Sequence, residues 1–77
     1  MTQVTLDKAI AEELITSKIQ LLQQFIDEIL HRWNEPSTKD FLERARTGEI
    51  VNAEEDAVEL RQLMLDYQKY RDLLTQL

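Results

Sequence analysis

Seventy-seven residues make one small domain, and nine Lys and Arg against fifteen Asp and Glu leave a formal net charge of −6. Hydrophobic residues are 43% and Cys is absent, which excludes wholesale disorder, disulfide bridging and thiolate zinc sites. A chain this short buries only about 60% of its unfolded surface, so self-association or a partner becomes the leading route to added stability.

One Gly and one Pro in the whole chain predict long helices with few breaks. The first spans about 6–33. Ala11, Leu14, Ile15, Ile19, Leu22, Phe25, Ile26, Ile29, Leu30 and Trp33 recur in steps of three and four, the helical period. Ile10 and Leu21 widen this stripe to about half the circumference, beyond the ordinary apolar sector of somewhat over 100°. Ser17 and Gln20 have capping-box spacing, but nothing there removes a backbone donor, so one continuous helix is expected.

Asn34-Glu35-Pro36-Ser37 reads as a turn, because Pro36 disfavours a helical Glu35 and Ser37 or Thr38 can cap a second helix. That short helix, over 38–46, carries Phe41, Leu42 and Ala45 on one side. Gly48 suits the left-handed position that ends a helix, with Ile50 folding back on its last turn. Asn52 and Glu55 resemble a capping box for a second long helix over 53–75, whose first turn holds Glu54, Glu55 and Asp56. Its main stripe is Ala53, Ala57, Leu60, Leu63, Met64, Tyr67, Tyr70 and Leu74. Val58 and Leu65 lie off that stripe, two turns apart.

These elements predict an all-α chain of one domain. The long helices, ~42 Å and ~35 Å at 1.5 Å per residue, form an antiparallel hairpin joined by the short helix. Three such helices cannot cover the wide face of the first. A homodimer closing into a four-helix-like bundle would do so, with Ile15, Ile19, Leu22, Ile26, Ile29 and Trp33 as the dimer interface.

The acidic balance argues against a phosphate-binding surface, since nucleic-acid binders carry a basic stripe. No apolar run of about 18 residues is present to cross a membrane. The first residues lack a basic stretch followed by an apolar one, so a signal peptide is not expected and the cytoplasm is the default location.

Glu28 and His31 have the Glu-x-x-His spacing that di-iron bundles use. They lie beside Asp27 and Arg32 on the polar side of the first helix, and Glu28 and Arg32 are spaced for an i,i+4 ion pair. That account is preferred, and no metal or other cofactor is expected. Catalysis has one His, no Cys and no Gly-rich phosphate loop to draw on. Ser17 and Ser37 are explained as caps, so no nucleophile, base and orienting group assemble, and an enzyme is not expected. Tyr67 and Tyr70, with Lys69 and Arg71 nearby, are read as core rings rather than base-stacking platforms.

Two surfaces remain. Glu54, Glu55, Asp56 and Glu59 complement a helix dipole and also form an acidic face for a basic partner protein, with Val58 and Leu65 as apolar anchors beside it. Alternatively, the polar–apolar alternation of Gln3-Val4-Thr5-Leu6 suits the short strand of a ribbon-helix-helix repressor, with Gln3 and Thr5 facing DNA. A structural bundle with no docking role is a third reading.

Ile29-Leu30-His31-Arg32-Trp33-Asn34, Phe41-Leu42-Glu43-Arg44-Ala45, Gly48-Glu49 and the run Ala53 to Leu60 together resemble a group of short, acidic, helical bacterial proteins, some of them antitoxin-like. The resemblance covers about the last fifty residues and rests on caps and core positions. The opening Met1-Thr2-Gln3-Val4-Thr5-Leu6-Asp7-Lys8 is also similar to the start of some antitoxin-like proteins, which continue into strands where this chain reads as helix. The resemblance implies inhibition of a basic partner, such as an RNA-cleaving toxin, and transfers no site residues.

Overall fold

The structure, a computed structural model, describes residues 7–77. Among the described residues it is all-α: α1 (Lys8–Arg32), α2 (Thr38–Thr47) and α3 (Glu54–Thr75), with no strand. The strand that the alternative repressor reading places at Gln3–Leu6 lies outside the described residues. No helix among them is long and apolar enough to cross a membrane.

α1 starts at Asp7, whose carboxylate accepts from the Ala9 amide at 3.2 Å. It runs through Ser17 without a break. Its end is sharper than Pro36 alone would make it. Asn34 takes a left-handed conformation (φ 55°), and the Glu35 amide donates back to the Leu30 carbonyl at 2.9 Å. This is a Schellman closure with Asn in the usual Gly place. Glu35 then turns its side chain inward, where the Arg44 guanidinium meets both carboxylate oxygens at 3.0 and 3.2 Å. The pair ties the turn to α2.

Ser37 caps α2, its hydroxyl accepting from the Asp40 amide at 3.2 Å. Gly48 ends it at φ 80°, the Glu49 amide returns to the Arg44 carbonyl at 3.0 Å, and Ile50 packs against the core. A Cβ at Gly48 would meet nothing within 4 Å. Gly48→Ala is therefore expected to cost only the left-handed backbone penalty, about 1–2 kcal/mol, read as a lower urea midpoint with an unchanged slope.

The start of α3 differs from the expectation. Asn52 is itself left-handed (φ 62°), and Ala53 occupies the cap position without a side-chain hydrogen bond. Asn52 turns the chain instead of capping the helix. Glu54, Glu55 and Asp56 still place negative charge in the first turn.

α3 returns antiparallel to α1. Asp56 meets Arg32 and Trp33 at one end, and Lys18 lies over Tyr70 nearer the other. α2 packs across the first of these ends only. The core there comprises Ile26, Ile29, Phe41, Ala53, Ala57 and Leu60, with Leu30, Trp33, Leu42, Ala45, Ile50, Leu63 and Tyr67 around it. Among the described residues, none of α1 before Leu22 and none of α3 after Leu60 is buried. The distal half of the hairpin is two helices with no third described element packed on them.

Candidate interaction surface

Trp33 and Asp56 organise the ground from which the outer face of α3 rises. The Asp56 carboxylate accepts from the Trp33 indole N–H at 2.7 Å and from the Arg32 guanidinium at 2.8 Å, all on one oxygen. Hydrogen bonding from Trp33 holds its pKa below the ordinary carboxylate value; partial burial opposes this and Arg32 adds to the lowering. The Trp33 ring tilts against Phe41, centroids 5.9 Å apart. One side chain thus fixes the register of α3 on α1 and the position of the ring that seats α2. Glu28 does not pair with Arg32, which reaches across to α3 instead.

Asp56 departs from the expected row of outward acids, because its carboxylate is committed inside the chain. Glu54, Glu55 and Glu59 are exposed, as are Val58 at 63% and Leu65 at 66%. Val58 and Leu65 lie on one side of α3 and border two shallow depressions. Leu42, Arg61, Met64 and Leu65 line one; Ala45, Arg46, Glu54, Ala57, Val58 and Arg61 line the other. The contribution of Leu42 and Met64 follows from how α2 leans on α3, which local spacing does not carry. Arg61 stands between the two anchors, so the acidic character belongs to the first two turns of α3 rather than to its whole length.

The self-association residues fall differently from expectation. Leu22, Ile26 and Ile29 are buried within the single chain, and Ile15, Ile19 and Trp33 are half-buried. α3 runs along this face, and α2 packs only at its Ile26 to Trp33 end. The large apolar residues of α1 left in the open are Ile10, Leu14, Leu21 and Phe25.

Glu28 and His31 are both exposed, and no three side chains of metal-ligating type gather among the described residues. Tyr67 packs on the core, with the Arg71 guanidinium 5.9 Å from its ring centre. Gln3 and Thr5 lie outside the described residues. The chain matches no family model, no curated protein and no solved structure.

Proposed function

We propose that the chain is a non-enzymatic protein–protein interaction module whose outer α3 face binds a basic partner protein, with antitoxin-like inhibition as its most specific form. One observation carries the reading. Val58 and Leu65 are each more than 60% exposed on the same side of α3, next to Glu54, Glu55 and Glu59 and beside two shallow depressions, a mostly apolar one at Leu65 and a mixed one at Val58. Exposed apolar anchors ringed by charge are a common form of binding site. The acids would steer a basic partner, and the anchors would hold it.

The test is capture from the source cell with the wild type, a Val58→Lys/Leu65→Lys variant and a Glu54→Gln/Glu55→Gln/Glu59→Gln variant. The substituted side chains are exposed, so helicity should be unchanged. The expected result is one basic protein held by the wild type, lost at least tenfold with the anchor variant and bound more slowly by the acid variant. If that protein cleaves RNA, stoichiometric addition of the wild type should suppress cleavage. Equal capture by all three proteins, or no specific partner, refutes the reading.

A further inference from the structure

α1 retains a second apolar line, distinct from the outer face of α3. At about 100° per residue, Ile10, Leu14, Leu21 and Phe25 fall within a sector about 60° wide. Its centre is about 100° round the helix from the buried line of Leu22, Ile26 and Ile29. Leu30, which packs on the core beside α2, lies on the opposite flank. The open line therefore faces away from α2. Lys18 falls at its inner edge and lies over Tyr70, which places Tyr70 on this same side of the hairpin. All four apolar residues are exposed, Leu14 most at 58%.

The spacing along this line is symmetric. The midpoint of Ile10 and Phe25 coincides with the midpoint of Leu14 and Leu21, between Ser17 and Lys18. A line that reads the same from both ends is self-complementary under a two-fold axis perpendicular to the helix. Two antiparallel copies of α1 centred there would set Ile10 against Phe25 and Leu14 against Leu21, twice each. Ser17, a small residue, sits beside the axis and lets the backbones approach. Lys18, the one cation on the line, is drawn toward the ring of its own Tyr70, its Nζ 5.9 Å from the centroid.

The area is sufficient. The overlap in this register is about 20 residues of α1, ~29 Å long, and two adjacent helices are ~20 Å wide. That is roughly 600 Å² per copy in projection and roughly 1,200 Å² for the pair, at the lower bound for specific, stable interfaces. The overlap also falls mostly on the part of α1 before Leu22, where no residue is buried, leaving both α2 ends and both outer α3 faces clear.

We propose that this face binds a second copy of the chain, antiparallel, with the two-fold axis at Ser17 and Lys18. The inference does not rest on the outer α3 face and survives its failure. Light scattering on the full chain across a dilution series should show a dimer at the highest concentrations. Leu14→Glu/Leu21→Glu should be monomeric at every concentration with the same helical content. Register is read by cross-linking, since the chain has no Cys of its own. Ser17→Cys should be joined to its partner by a short thiol-to-thiol cross-linker, whereas Glu28→Cys, about 30 Å from its counterpart in this register, should not. A wild type that stays monomeric throughout overturns the proposal. So does a Leu14→Glu/Leu21→Glu variant that still dimerises, or a Glu28→Cys variant that cross-links as well as Ser17→Cys.

Discussion

Phe41→Ala is expected to lower the unfolding free energy by about 3–5 kcal/mol, the usual cost of emptying a fully buried aromatic site. The Phe41 side chain is 0% exposed and is the one fully buried residue that α2 supplies. It fills the space between Ile26 and Ile29 of α1 and Ala57 and Leu60 of α3, with Trp33 against its ring. A domain of this length has about 4–12 kcal/mol in total at ~0.05–0.15 kcal/mol per residue. The substitution therefore removes a quarter or more of that stability, and at the lower end of the range it leaves a large fraction unfolded at ambient temperature. Urea denaturation followed by circular dichroism checks this at one fixed concentration, because self-association would add a concentration-dependent term. A loss below about 1 kcal/mol would mean that the cavity collapses or that α2 is not seated by this ring.

Asp56→Ala is the next largest. It leaves a half-buried indole N–H and a guanidinium without their acceptor, at about 1–3 kcal/mol. Most of that belongs to Trp33, since Arg32 is largely exposed and its ion pair is screened. Asp56→Asn retains an acceptor for the indole and should lose less. The pH dependence separates charge from geometry. The native carboxyl titrates below its ordinary value, so the unfolded chain takes up its proton first as pH falls. The stabilisation is then fully present above the unfolded value of about 3.9 and is lost as pH falls through the lowered native value. The stability gap between wild type and Asp56→Asn should be constant near neutrality and close in acid. Trp33 fluorescence is a direct probe, and a gap that does not narrow in acid would remove the charge from the account.

The helices are legible in the sequence because apolar steps of three and four extend over more than twenty residues in α1 and α3. Gly48 is legible as a cap because it does what its neighbours cannot, and Ser37 because it and Thr38 are the capping hydroxyls that follow Pro36. Asn52 is ambiguous because Asn serves two purposes: its side chain caps helices, and its backbone tolerates the left-handed region. Local sequence holds nothing that chooses between them, and at Asn34 the same tolerance is hidden beside Pro36. Asp56 is ambiguous for a related reason. Three consecutive acids in a first helical turn all satisfy the dipole, and only the approach of α1 selects the one beneath Trp33. The width of the α1 face is visible in its composition. How it divides, with Leu22, Ile26 and Ile29 used inside the chain and Leu14, Leu21 and Phe25 left over, depends on the side of α1 that α2 crosses.

The placement of α2 across one end has a consequence for how the protein can change. Substitutions around Phe41 and Leu60 act on whether the chain folds. Leu14 and Leu21 are exposed and lie outside that core cluster, so the two sets of effects should add independently. Lineages of this chain could thus exchange one associate for another by altering the far half of the hairpin while its packed core stays untouched. An engineer could do the same, treating the α2 end as a fixed clasp and the other end as a replaceable one.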